Sequence, residues 1–281
     1  MKSLRQQFVD VDGATLEILR GGEGHPIICC QHPHSSNLER FQWYADRTGF
    51  IYMVVRGLGN SSPIREKRDL TNLQAAHDLE AVRRKLGIER WVVQGFSAGS
   101  QVALLYALTY PDSLAGLISI AGFAKYSSLL ANPDSLCSPK YADYQADLEA
   151  LRKQGFQRSP AVLSSPDHYW AQVNPQAWGF FRGDAPLVIM PGDQLHDRLK
   201  AAFEEAVLFD VENRLKEIQA PTLVVGGRND PIVPVEESIA IHECVPNSSL
   251  LVLEHSGHGA EGADEGIFRD TVLGFLLQLK A

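Results

Sequence analysis

The stretch Trp91-Val92-Val93-Gln94-Gly95-Phe96-Ser97-Ala98-Gly99-Ser100 runs from an apolar segment through a Gly-x-Ser-x-Gly string into a helical pattern. The apolar side reads as a strand, and Ala98 to Tyr110 reads as a helix that stops at Pro111, because proline disfavours helical geometry in the residue before it. Gly-x-Ser-x-Gly alone arises by chance in flexible loops; strand before and helix after are the test of its meaning. A strand that becomes a helix within one residue needs a turn so sharp that its central residue sits in a strained conformation, with flanking glycines relieving the crowding. Ser97 is therefore expected to project into open space as a nucleophile. The backbone N–H of Ala98, in the first helical turn, faces the place where negative charge would develop.

Outward from this point the same alternation recurs. Short apolar runs at 26–30, 50–55, 91–93 and 117–121 alternate with helical periodicity, which predicts βαβ units and a mostly parallel central sheet flanked by helices. Before them, Phe8–Val11 and Ala14–Leu19 flank Asp12-Gly13 and predict a hairpin. Thr71 to about Leu86 predicts a helix, with Leu73, Ala76, Leu79, Val82 and Leu86 on one face, a capping box from Thr71 and Gln74, and Gly87 at the end. From Phe123 to Asp210 the strand signal disappears. Tyr141, Tyr144, Leu148 and Leu151 form a helical stripe, an aromatic segment spans 169–181, and 195–209 reads as a further helix. Strands return at 222–225 and 249–253, and a final helix carries Phe268, Val272, Phe275, Leu276 and Leu279. The expected organisation is an α/β core of residues 1–122 and 213–281, interrupted by a helical cap over 123–212.

The 281 residues suffice for one large domain plus an insertion, and 44% apolar with 21% charged residues is ordinary for a folded globular chain. The formal charge of −8 disfavours a nucleic-acid partner, and clusters such as Arg83-Arg84-Lys85 read as solvated faces. No stretch of eighteen apolar residues occurs and the first residues lack the apolar core of an export signal, so no membrane partner and a cytoplasmic location are expected. Of the four cysteines, Cys29 and Cys30 are strand neighbours that point to opposite faces and are expected as reduced thiols. No spacing suggests a metal site, and no cofactor is implied.

A serine hydroxyl needs a base to take its proton and normally a carboxylate to fix the base's tautomer. His258 lies in Glu254-His255-Ser256-Gly257-His258-Gly259, the loop beyond a strand end, where ligand sites of open parallel sheets lie. His255 competes; Gly257 and Gly259 give His258 the freedom to reach across. His77 and His242 fall in helical patterns, and His25 and His32 flank an early strand in structural roles. Asp230 follows the strand at 222–225 through Gly226-Gly227-Arg228-Asn229 and precedes Pro231, a context that also suits a plain turn former. Asp210, at the end of the insertion, is the alternative acid.

The order Ser97, Asp230, His258 resembles that of the α/β-hydrolase family, and the chain is similar to it nearly end to end. Gln31-His32-Pro33-His34 resembles the family's His-Gly-x turn after the third strand, and Val55-Arg56-Gly57-Leu58-Gly59-Asn60-Ser61 its Arg-Gly-x-Gly-x-Ser loop after the fourth, with Val54 where an Asp is commoner. The resemblance implies a Ser-Asp-His triad and an oxyanion hole from the N–H groups of His34 and Ala98; Pro33 replaces the usual Gly and cannot donate, but the family's donor is the residue after it. It also implies that the cap covers Ser97, with Tyr169, Trp170, Trp178, Phe180 and Phe181 as candidate pocket or packing residues. Serine at this turn, rather than Asp or Cys, implies acyl chemistry on a small-molecule substrate: a carboxylic ester first, with lactones, thioesters or amides as relatives. Proline iminopeptidases share the helical cap but usually carry Trp beside the nucleophile and a Gly-Gly-Pro-Gly turn; here Ala98 and Pro33-His34-Ser35 stand there. A catalytically silent receptor on the same fold is the non-enzymatic alternative.

Overall fold

The computed structural model of the chain describes residues 4–33, 38–142, 195–259 and 264–279. Eight strands form one sheet in the order β1-β2-β4-β3-β5-β6-β7-β8. They are β1 (Arg5–Val11), β2 (Ala14–Gly21), β3 (Ile28–Gln31), β4 (Phe50–Met53), β5 (Trp91–Phe96), β6 (Leu114–Ile120), β7 (Thr222–Gly227) and β8 (Ser248–Leu253). β2 runs antiparallel to both its neighbours, and β3 to β8 are mutually parallel. The hairpin closes at Asp12-Gly13 as its turn chemistry predicts, with Val11 opposite Ala14.

The helices among the described residues are α1 (Leu38–Phe41), α2 (Asn72–Lys85), α3 (Ala98–Thr109), α4 (Tyr126–Ala131), α5 (Leu195–Leu208), α6 (Val235–Cys244) and α7 (Glu265–Gln278). They cover both faces of the sheet, which is why its central strands are apolar on both sides. Two residues of β5 on opposite faces show the two layers: Trp91 donates its indole N–H to Tyr106 of α3 at 2.9 Å, whereas Gln94 accepts from Tyr44 of the 3-10 segment Gln42–Asp46. Ile28, Cys29, Val92, Val93, Leu117, Val224 and Val225 are buried between these layers. Burial pushes the thiols of Cys29 and Cys30 well above the ordinary thiol range, so neither is an activated nucleophile.

α2 begins as expected, with the Thr71 hydroxyl accepting the Gln74 N–H at 3.1 Å, and Gly87 (φ 66°) follows its end. The reciprocal half of the capping box does not form. The Gln74 side chain turns one turn forward onto Asp78 at 2.9 Å, because Asp78 is already held there by Arg56. Arg56 grips Asp78 through Nε (2.8 Å) and Nη2 (2.7 Å) and reaches Asp69 through Nη1 (3.2 Å). No Asp at 54 is needed to hold the loop after β4. Glu17 of β2 accepts the Asn60 backbone N–H at 2.7 Å, and the Ser61 hydroxyl bridges the Glu17 N–H and the Val54 carbonyl.

The ends of the expected insertion meet. Lys125 and Asp210 form an antiparallel bridge, flanked by Tyr126 N–H to Phe209 carbonyl (3.0 Å) and Val211 N–H to Ala124 carbonyl (2.8 Å). The incoming arm rests on the loop after β7, with the Leu136 N–H on the Pro231 carbonyl (2.7 Å) and the Ser135 hydroxyl on the Ile232 carbonyl (3.0 Å). The outgoing arm, α5, is tied down by the buried Arg198, which donates to the backbone carbonyls of Arg56 and Asp69 at 2.6 Å each. Burial lowers that guanidinium to about 10, still charged at neutral pH. Tyr144, Leu148 and Leu151 of the predicted stripe lie outside the described residues, and Tyr141 ends a short 3-10 turn. Among the described residues no helix is long and apolar enough to cross a membrane.

Candidate active site

The sheet order reverses at β3: the chain passes from β3 to β4 on one side and returns to β5 on the other. In such sheets a crevice opens at the carboxyl ends of the strands flanking the reversal. Ser97 follows the last residue of β5 there. Its backbone is held at φ 52°, ψ −123°, with its N–H on the Ile120 carbonyl at 2.9 Å. The glycines on either side are there for close approach. A Cβ on Gly95 would lie 2.2 Å from the Gly99 carbonyl oxygen, and one on Gly99 would lie 2.8 Å from that of Gln31. The turn of α3 thus packs directly on the end of β3.

Serine at an N-cap ordinarily turns its hydroxyl onto the first helical N–H groups. Ser97 makes no such bond; its Oγ lies 2.8 Å from His258 Nε2. The other ring nitrogen, Nδ1, lies 2.7 Å from Asp230 Oδ2. The second Asp230 oxygen accepts the backbone N–H groups of Ile232 (2.8 Å) and Val233 (2.9 Å), so the carboxylate is fixed from behind and its side chain is fully buried. The imidazole is 10% exposed. With Asp230 as acceptor the proton sits on Nδ1, leaving Nε2 free to accept from Ser97.

The residues weighed from the sequence separate clearly. His255 is exposed on the same loop. Asp210 faces Lys125 Nζ at 3.5 Å in the stem of the insertion rather than His258. Ala98 is the first residue of α3, where a backbone N–H has no acceptor within the helix. His34, Tyr169, Trp170, Trp178, Phe180 and Phe181 lie outside the described residues. His77 of α2 bonds the Tyr110 hydroxyl just past α3, and His242 of α6 bonds the Ser248 hydroxyl at the start of β8.

Two neighbours had no sequence signal. Phe96, at the variable position of the motif, lays its ring 5.1 Å from the His258 ring and forms a wall with Phe41 at 6.3 Å. Gln31, the last residue of β3, donates from Nε2 to the Gly99 carbonyl at 3.0 Å and ties the strand end to the turn bearing Ser97. A polar residue closing an apolar run reads simply as the strand's exit, and its partner is sixty-eight residues away.

Comparison with known proteins agrees with this architecture. The model of the alpha/beta hydrolase fold family matches residues 46–260. A proline iminopeptidase of Xylella fastidiosa (strain 9a5c) is 26% identical over 281 aligned residues, covering 91% of this chain and 86% of that one. A 2-hydroxy-6-oxononadienedioate/2-hydroxy-6-oxononatrienedioate hydrolase of Klebsiella pneumoniae subsp. pneumoniae is also 26% identical, covering 96% of this chain and 95% of its own. Among solved structures, an alpha/beta fold family hydrolase from Bacillus anthracis str. Sterne superposes with a TM-score of 0.78 at 22% identity, over 98% of this chain and 99% of that one. With a family match over most of the sheet and a fold shared end to end, the chain belongs to the α/β-hydrolase fold family.

Proposed function

We propose that the chain is a serine hydrolase that cleaves a small carboxylic ester, or a related acyl compound, through an acyl-enzyme on Ser97. The observation that carries this reading is the continuous hydrogen-bonded line Ser97 Oγ, His258 Nε2, His258 Nδ1, Asp230 Oδ2 at 2.8 and 2.7 Å. His258 takes the hydroxyl proton as Ser97 Oγ attacks the acyl carbon, and the resulting imidazolium is held by Asp230. The oxyanion is received by the N–H groups of Ala98 and His34, each such donor typically supplying roughly 3 kcal/mol of transition-state stabilisation. His258 then returns the proton to the leaving alcohol; a water, deprotonated by the same ring, releases the acid and restores Ser97. Residues 123–212 act as the cap over this site.

A second reading, cleavage of an aminoacyl amide, is favoured by the proline iminopeptidase at 26% identity. The ester reading ranks first because the sequence carries Ala98 beside the nucleophile, where the iminopeptidases usually carry Trp, and Pro33-His34-Ser35 in place of their Gly-Gly-Pro-Gly. The test has two parts. A fluorophosphonate should label the wild type and leave Ser97→Ala unlabelled; folded wild type that does not label would favour a catalytically silent member of the family. A panel of short- and long-chain esters, lactones, aminoacyl amides and a 2-hydroxy-6-oxo-dienedioate then ranks substrates by kcat/KM. An aminoacyl amide at the top would overturn the ester assignment.

A further inference from the structure

Asp264 stands immediately before α7, at a position where aspartate ordinarily turns its carboxylate onto the open N–H groups of the first helical turn. It makes no such cap bond. Its Oδ2 instead accepts the backbone N–H of His255 at 2.7 Å and the Ser256 hydroxyl at 2.8 Å. Asp264 is 2% exposed and Ser256 fully buried, so both bonds are shielded from water. These two residues lead directly into Gly257 and His258.

From this geometry we infer that Asp264 is a positioning residue for the reaction, holding the loop after β8 so that the His258 imidazole stays between Ser97 and Asp230; the inference rests on the serine hydrolase reading. The loop leaves the sheet after Leu253 and is gripped from two sides. The Asn229 N–H, next to the acid, donates to the Ser256 carbonyl at 3.0 Å, and Asp264 holds the Ser256 hydroxyl and the preceding amide. The anchor is rigid, because Phe268, Val272 and Leu276 bury the face of α7 just behind it. The ring has two short contacts to keep at once, 2.8 Å to Ser97 and 2.7 Å to Asp230. A loop free to drift breaks one or the other. The diverted cap is the mark of this use: the helix forgoes its best local partner and the histidine loop receives it.

The experiment separates slower chemistry from lost folding. Wild type, Asp264→Ala, Asp264→Asn and Ser256→Ala are each titrated with fluorophosphonate to count competent sites, and kcat per labelled site, KM and Tm are measured on the preferred ester. For Asp264→Ala, kcat per labelled site is expected to fall on the order of a hundredfold, the scale of a misplaced catalytic group, while KM stays within about twofold. Asp264→Asn keeps one acceptor and Ser256→Ala removes one of the two bonds, so both should fall between. If Asp264→Ala does not fold, these two milder variants decide. Variants that lose only Tm or labelled fraction, with kcat per labelled site within about threefold of wild type, would reduce Asp264 to a structural role and overturn the inference. A wild type that takes no label refutes the hydrolase reading itself, a distinct result.

Discussion

Replacing Asp230 by Asn inverts the polarity of the group that faces His258. In the wild-type side chain Oδ1 accepts two backbone N–H groups, from Ile232 at 2.8 Å and Val233 at 2.9 Å, and Oδ2 faces Nδ1 at 2.7 Å. The two backbone donors require an acceptor, so a carboxamide must seat its oxygen against them and point its NH2 at the imidazole. Nδ1 then has to accept, the ring proton moves to Nε2, and the nitrogen 2.8 Å from Ser97 Oγ can no longer take the serine proton. This wrong tautomer costs roughly ten-thousandfold in turnover where a comparable triad aspartate is replaced. At about 1.4 kcal/mol per tenfold, that is on the order of 5 kcal/mol of transition-state stabilisation. The assay is kcat and KM on the preferred ester, beside a thermal melt that should change little because the two side chains are nearly isosteric. Asp210→Asn is the control, since that carboxylate sits half-exposed against Lys125 in the stem. An Asp230→Asn enzyme within about tenfold of wild type would refute the assignment of the acid.

The same reasoning extends to other positions. His258→Ala should lose several orders of magnitude in kcat, whereas His255→Ala, whose exposed side chain lies off the line of hydrogen bonds, should stay close to wild type; equal losses would place the base elsewhere. In Gly99→Ala the new Cβ would lie 2.8 Å from the Gln31 carbonyl, so overpacking should cost roughly 1–3 kcal/mol in a chemical melt and slow fluorophosphonate labelling by shifting the first turn of α3. Unchanged stability would refute the close packing of this turn on the end of β3. Arg198→Met keeps the aliphatic stem but strips the Arg56 and Asp69 carbonyls of their 2.6 Å donor, and at about 1–3 kcal/mol for each buried unsatisfied acceptor a fall of roughly 3 kcal/mol should appear by calorimetry.

The sheet was legible because its signals are local. β5 and α3 meet at a turn whose glycines and following proline carry their own stereochemistry, and the apolar runs of β3, β4, β6, β7 and β8 each sit between breakers. The strand limits were less so. Gln31 ends an apolar run yet pairs with Met53 and Gly95, and Leu114 precedes the apolar core of β6, because register is set by neighbours rather than by the segment itself. Contacts between distant segments left still weaker traces. Glu17 holds the loop after β4 by accepting the Asn60 N–H, but nothing in Leu16-Glu17-Ile18 announces a partner at Asn60. Gln74 departs from its local capping pattern for the same reason, its amide drawn to a carboxylate that Arg56 holds in place.

Ser97 and Asp264 sharpen the point. Both are ideal N-cap residues by local rule, and both turn their side chains away from the helix they precede. For Ser97 the glycines of the motif reveal the diversion in the sequence itself. For Asp264 they do not, because an aspartate before Glu265-Gly266-Ile267-Phe268 reads as an ordinary helix start. What distinguishes the two is the source of the competing partner. Ser97 is forced off its cap by a backbone turn that the neighbouring residues encode, whereas Asp264 is drawn off by a backbone N–H and a hydroxyl that only the folded loop presents. An unused cap at a helix facing the carboxyl edge of the sheet is therefore an observation that only the fold supplies, and here it leads from the helix end to the loop that carries His258.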